Sequence, residues 1–213
     1  EEFAVSRTGM SDTYRPDIVL FVNGIPLCVI ECKRHDIKDS LKQAISQHLR
    51  NQKEDGIRSL YIYSALLLAT NVNEVSYATT ATPEKFWSKW TEQFVDKNAE
   101  ELYRYKLAEK VNEKRINPKM FGERFSYVRT DIEKKYDAPL TPSVQDAYIY
   151  TLCRPDRLLG LMYGFTLYDD GIKKVARYQQ FFAVEKVMER VRNIEGGKRR
   201  GGVIWHTQGS GKS

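Results

Sequence analysis

Near its start the chain carries two almost uninterrupted apolar runs, residues 17–22 (DIVLFV) and 26–30 (PLCVI), joined through Asn23-Gly24. Both are rich in β-branched and aromatic residues, and Asn-Gly between such runs is the strongest short-range signal of a β-hairpin. Continuous apolarity predicts that both strands are buried on both faces. Upstream, residues 2–6 predict a strand and residues 8–13 a polar loop. Downstream the period changes. After Asp39-Ser40, which can cap a helix, Leu41, Ala44, Ile45, His48 and Leu49 recur at helical spacing to about Gln52. Asp55-Gly56 ends that helix, and residues 58–70 (RSLYIYSALLLAT) predict a second core strand, or two short ones.

Residues 71–82 are polar and turn-rich, with a strand predicted at 75–79. Thr82-Pro83-Glu84 has the order of a helix start: cap, proline at the first helical position, acid in the first turn. Phe86, Trp87 and Trp90 would be its apolar stripe, read as core and not as a platform for bases. Residues 96–114 predict a charged helix that Asn117-Pro118 breaks. Residues 120–135 alternate aromatic and basic side chains without a clear period. Two prolines in residues 138–142 (APLTP) suit a stiff linker. Short helices are predicted at 143–152 and 157–162, a strand at 163–168 and a turn at Asp169-Asp170-Gly171. A long helix follows from about 174 to 193, then a glycine-rich basic connector at 196–202, and a short strand at 203–206. No internal repeat is present.

The 213 residues suffice for one large domain or two small ones, and 41% hydrophobic with 29% charged residues describes a globular chain. No apolar run approaches the roughly 20 residues of a membrane span. The start, EEFAVSRTGM, has neither a signal-peptide pattern nor an initiator Met, as expected of a piece of a longer protein. Thirty-four Lys and Arg against 28 Asp and Glu give a net charge of +6, and residues 104–135 carry +5 of it. That concentration suits a polyanion such as DNA, or a solvated helical face. The three cysteines include no CxxC. Cys28 and Cys32, four apart on one strand, are roughly 13 Å apart and too far to bridge. An odd count without metal spacing suggests a reducing cytoplasm. His35, His48 and His206 are too scattered for a zinc site.

Charges at the far end of a buried hairpin need a reason, because buried charge is costly unless it is paired or holds a metal. Asp17 opens the first strand, and Glu31-Cys32-Lys33 closes the second. Carboxylates are hard oxygen ligands of the kind Mg²⁺ prefers, and a lysine beside them can offset charge developing on a phosphoryl group. A plain two-residue turn at Asn23-Gly24 makes paired positions sum to 47, which sends Asp17 and Glu31 to opposite faces. Shared metal binding needs an even sum, from a three-residue loop or one bulge, for which Gly24 is suited. The order Pro-Asp, a hairpin, then Glu-x-Lys resembles the PD-(D/E)xK nucleases.

At the other end, the strand predicted at 203–206 leads into TQGSGKS. Strand, glycine-rich loop and GK[ST] make a phosphate cradle, with Gly209, Ser210 and Gly211 in the loop, Lys212 reaching the phosphates and Ser213 on Mg²⁺. His206 stands where the generic motif has glycine, which fits the helicase-type variant. With both signatures in view, the chain resembles the N-terminal part of the motor (R) subunit of type I restriction endonucleases. The matching stretches are RPDIVLFVNGIPLCVIECKR, AISQHLRNQ, LLLATN, TPEKFWSKW, RPDRLLG, KKVARYQQFFAV and GGVIWHTQGSGKS; residues 97–140 have no counterpart.

The resemblance implies an α/β fold: a PD-(D/E)xK restriction-endonuclease-like core, a mixed sheet flanked by helices, followed by the start of a RecA-like motor. The expected division is a nuclease domain at 1–140, with its core at 1–95, and the linker and beginning of the motor at 141–213. It implies Mg²⁺-dependent cleavage of double-stranded DNA coupled to ATP-driven translocation, modification and specificity subunits as partners, and a prokaryotic cytoplasm. By position, Asp17 and Glu31 are metal ligands with the Cys32 backbone carbonyl as a third, and Lys33 is the catalytic lysine. Gln47 falls on the family's helix glutamine, although Asn51 stands where that motif often has tyrosine. Gln180, with Arg177 nearby, matches the adenine-reading glutamine. The chain ends before any Walker B acid, so these residues alone are expected to lack ATPase activity. Alternative readings are another nuclease–helicase fusion in repair or phage defence, and a DNA-binding or assembly module with an inactive centre.

Overall fold

The computed structural model describes residues 3–113 and 139–205. A two-residue pair, β1 (Val5–Ser6) with β2 (Thr13–Tyr14), precedes the predicted hairpin, β3 (Ile18–Val22) and β4 (Ile25–Cys32). Asn23 and Gly24 both take positive φ, 50° and 80°, the backbone that a tight hairpin turn requires. Helices α1 (Ser40–Asn51) and α2 (Arg58–Tyr63) lead to β5 (Leu66–Thr70), which lies parallel to β4. Parallel neighbours need a crossover, and α1 with α2 supplies it. This is why residues 58–63 are helical, where the apolar run predicted strand. β6 (Val75–Ala78) returns antiparallel and completes a mixed sheet of order β3-β4-β5-β6.

Only part of the hairpin is buried. β4 is covered on both faces, but β3 is an edge strand whose Ile18, Phe21 and Val22 are exposed. On one face of the sheet, Val29 and Leu67 pack on Ile57, Leu60 and Tyr61, and Ala69 packs on Ala44 and Ile45 of α1. On the other, Cys28, Ile30, Leu66, Leu68 and Tyr77 meet Trp90, Leu152, Leu158, Leu161 and Phe181. The last four of these come from α4 (Val144–Leu152), α5 (Pro155–Gly164) and α6 (Tyr178–Arg192). Residues beyond the expected boundary at 140 therefore supply one cover of the sheet.

The helix predicted from Thr82 shortens to a single 3-10 turn, Glu84–Phe86, because Ser88 exchanges backbone hydrogen bonds with Tyr77 and extends the sheet's edge. α3 (Lys97–Asn112) forms as predicted, its first turn capped by the Asp96 carboxylate accepting from the Ala99 N–H. β7 (Thr166–Asp169) pairs with β8 (Ile172–Val175) around the predicted turn, so the long helix begins at Tyr178, not 174. A small hairpin, β9 (Ile194–Glu195) with β10 (Lys198–Arg199), occupies the glycine-rich connector. Residues 203–205 form no strand; among the described residues no neighbouring strand completes a ladder with them. No helix of the described residues is long and apolar enough to cross a membrane.

A buried ion pair fastens the helical cover. The Arg157 guanidinium, 8% exposed, donates to both Glu92 oxygens at 2.7 and 3.2 Å and lies against the rings of Trp90 and Phe181. Trp90 Nε1 donates to the same carboxylate at 2.8 Å. Glu92→Ala strands a buried guanidinium and is expected to cost about 3–5 kcal/mol in calorimetric unfolding. The double change Glu92→Leu with Arg157→Met removes both charges and is expected to cost far less.

Candidate metal-dependent nuclease centre

The geometry turns on one irregularity in the hairpin. Val22 pairs with Ile25 and Phe21 with Pro26, positions that sum to 47. Beyond a shift between Leu20 and Phe21, Leu20 pairs with Cys28, Val19 with Val29 and Ile18 with Ile30, which sum to 48. The required bulge is therefore present, but at Leu27 on β4 instead of at Gly24. Consistent with one inserted residue, Leu27 and Cys28 both join the core facing α4–α6. In the new register Asp17 is next in line opposite Glu31, and the two carboxyls share a face.

Around that point the groups converge. Asp17 Oδ2 accepts from the Cys32 N–H at 2.7 Å, which holds the carboxylate at the strand end. Lys33 Nζ lies 3.8 Å from Asp17 Oδ2 and 4.0 Å from Glu31 Oε2. Lys33 N–H points the other way, donating to the Thr70 carbonyl of β5 at 2.8 Å. Since one strand residue directs its N–H and C=O to the same side, the Cys32 carbonyl faces the edge where Asp17 sits.

Glu31 is the unusual group. It shares a face of the sheet with Val29, on the side that α1 and α2 cover, and it is fully buried. Its Oε1 accepts from Asn51 Nδ2 at 3.4 Å, while Oε2 has no hydrogen-bond partner among the described residues. Burial first, and the neighbouring Asp17 charge second, push its carboxyl up to about 8, with Lys33 pulling back. The Cys32 thiol is likewise raised by burial and by the two carboxylates, to about 11. It therefore stays a thiol, a poor ligand for a hard cation.

These residues fit a hard divalent cation. An unpartnered buried carboxylate oxygen beside a second carboxylate is a repulsive pair that a cation relieves. Among the described residues no three His, Cys, Asp or Glu side chains are grouped to share an ion. The side-chain donors such an ion would find here are Asp17 and Glu31, and Mg²⁺, which keeps several waters, tolerates so few.

Other expected residues lie elsewhere. Gln47 is half-buried on α1, and it is Asn51, one turn later, that reaches Glu31. Asn51 was legible only as the fourth residue after Gln47, on the same helical face. His48, expected on the helix's apolar face and too far from the other histidines for a zinc site, and Tyr61, expected in a strand, join this cluster, with Asn51 donating to the Tyr61 oxygen. Gln145 was unforeseen: its Nε2 lies 3.6 Å from Cys32 Sγ. At the start of α6 the Arg177 N–H donates to Gln180 Oε1 at 2.9 Å, so that carboxamide oxygen caps the helix. Gly209, Ser210, Gly211, Lys212 and Ser213 lie outside the described residues.

Residues 1–86 match the family described as Type I restriction enzyme R protein N terminus, and residues 179–213 match SWI2/SNF2 ATPase. The chain is similar to the putative type I restriction enzyme MjaVIIP endonuclease subunit of Methanocaldococcus jannaschii, 29% identical over 93% of this chain and 16% of that protein. The putative MjaIXP endonuclease subunit of the same organism is 27% identical over 93% of the chain and 17% of the relative. The type I restriction enzyme HindI endonuclease subunit of Haemophilus influenzae is 27% identical over 93% and 16%. The chain thus spans about a sixth of the length of the curated relatives it matches. With its first 86 residues matching the R protein's N terminus and these relatives running along nearly its whole length, the chain is similar to the N-terminal part of type I restriction enzyme R proteins.

Proposed function

We propose that this region is a Mg²⁺-dependent, PD-(D/E)xK-type nuclease centre that hydrolyses DNA phosphodiesters. In the full protein, cleavage would be coupled to ATP-driven translocation of double-stranded DNA. The observation that carries the reading is the convergence of Asp17, Glu31 and Lys33 through a bulge that brings both carboxyls to one face. Asp17, Glu31 and the Cys32 carbonyl would hold the ion, which when bound polarises a phosphoryl oxygen and acidifies a bound water. Lys33 is a fixed positive charge beside both carboxylates, suited to offset the negative charge of the pentacoordinate phosphorus. Asp17, tethered by the Cys32 N–H and partly exposed, is the carboxylate that incoming DNA and water can reach.

The rest of the reading rests on the resemblance of the later stretches, with the SWI2/SNF2 ATPase match at residues 179–213 in its support. Residues from 141 onward would lead into a RecA-like motor, in which Gly209 to Ser213 cradle ATP phosphates and Arg177 with Gln180 reads the adenine. Modification and specificity subunits would supply the recognition sequence.

In the full-length protein assembled with its partner subunits, Asp17→Ala, Glu31→Ala and Lys33→Ala should each reduce DNA cleavage about a hundredfold or more, with ATP turnover retained. Cleavage that survives all three changes would sink the nuclease reading. Lys212→Ala should reverse the pattern in the ATPase assay, abolishing turnover and leaving the folded nuclease core intact by circular dichroism. A pH series tests the carboxylate pair independently. The Glu31 carboxyl ordinarily ionises at 4.5 and here at about 8. Between those values the folded chain keeps a proton that the unfolded chain has released, so stability falls as pH rises through the window. In chelator, Glu31→Gln should therefore gain stability relative to the unchanged protein from pH 5 to pH 8, and added Mg²⁺ should narrow the gap. A pH-independent difference between the two would contradict the raised value.

A further inference from the structure

We propose that Asn51 is the positioning residue for Glu31, and that a buried hydrogen-bond chain through Tyr61 and His48 fixes which way its carboxamide faces. The proposal rests on the nuclease reading and adds to it residues that carry no metal and touch no substrate.

The direction of each link follows from its chemistry. His48 Nε2 lies 2.9 Å from the Leu68 carbonyl oxygen, which can only accept, so Nε2 carries the proton. Burial holds the imidazole neutral, its value lowered to about 4. Nδ1 is therefore a bare acceptor, and the Tyr61 hydroxyl, 3.1 Å away, donates to it. With that proton committed, the Tyr61 oxygen is left as an acceptor, and Asn51 Nδ2 faces it at 3.5 Å. On the other side of the carboxamide, Arg50 Nε and Nη2 donate to Asn51 Oδ1 at 3.3 and 3.2 Å. Flipping the amide would set two donors against each other at Arg50 and two acceptors against each other at Tyr61. Only one orientation satisfies both ends, and it aims Nδ2 at Glu31 Oε1.

His48, Asn51, Tyr61 and Glu31 are all fully buried, so no water competes for these groups. The backbone of Asn51 is pinned as well. Its carbonyl accepts from the Ile57 N–H at 2.9 Å, and a Cβ at Gly56 would lie 2.5 Å from that oxygen, so the loop closes only because residue 56 is glycine. Anchoring Oε1 in this way turns the other oxygen, Oε2, toward Lys33 and the Asp17 carboxyl. Partners of this kind typically contribute ten- to a hundredfold in metal affinity, though they never touch the ion.

The test is Mn²⁺ binding to the full-length protein without nucleotide, followed by electron paramagnetic resonance, with thermal unfolding measured alongside. Asp17→Ala, the control, should abolish the tight site. Asn51→Leu, close in volume, should weaken Mn²⁺ binding about 10–100-fold. Tyr61→Phe, which removes a single oxygen and frees the amide, should weaken it by a smaller factor in the same direction, and it keeps the question answerable if Asn51→Leu does not fold. A merely structural role would lower the unfolding temperature and leave the Mn²⁺ affinity of the folded protein unchanged. Variants that fold and bind Mn²⁺ as the unchanged protein does, while Asp17→Ala does not, overturn the positioning role. Binding that is indifferent to Asp17→Ala removes the metal site itself, and the positioning role with it.

Discussion

One extra residue in β4 governs this structure. Side chains alternate along a strand with a period of two, so a register change of one residue decides which face a group occupies. Without the bulge at Leu27, Asp17 would sit opposite Ile30, and Glu31 would face away from it. With the bulge, two carboxyls and an ammonium meet within 4.0 Å at the strand end. The apolar turn-proximal half of the hairpin keeps its plain pairing, so the shift is confined to the stretch between the turn and the charged end.

The second constraint is the position of Glu31 on an interior strand. β4 is flanked by β3 and β5 and covered on both faces, so its last turn toward solvent still lies in a poorly screened environment. Burial there favours the neutral carboxyl, and the adjacent Asp17 reinforces it. The fold tolerates this because α1 presents a polar face at that level: Asn51 meets Glu31 while Ala44 and Ile45, earlier on the helix, pack on Ala69. The helix start is anchored too, with Asn71 at the end of β5 donating to Ser40 Oγ at 2.9 Å. The end of α1 is thereby tied to the charged end of β4 and its start to the end of the neighbouring β5.

The opposite cover links the centre to the later part of the chain. α4 begins beside the charged strand end, where Gln145 touches Cys32, and its N–H donates to the Val72 carbonyl at 3.4 Å. Phe181 of α6 then sits in the same core as Ile30 and Leu68. Residues near the expected nucleotide-reading helix are thus packed on the sheet that carries the carboxylates, with Arg157 and Glu92 as the polar fastening between them.

Sequence alone determined the hairpin, α1, α3, the sheet's core strands and the three charged residues at the strand end, because each is written in local periodicity, turn chemistry or residue type. It also posed the register question correctly, since the alternation rule makes an even pairing sum a requirement for two acids on one face. Tertiary structure alone decided where the bulge falls, that β3 is an exposed edge, that residues 58–63 turn helical to make a parallel crossover, and that the helix expected at Thr82 yields to pairing with β6. Those outcomes depend on which neighbour lies alongside, and no local pattern encodes a neighbour. The same holds for Asn51, Tyr61 and His48: three ordinary helix residues whose role exists only because burial leaves each hydrogen bond one available partner.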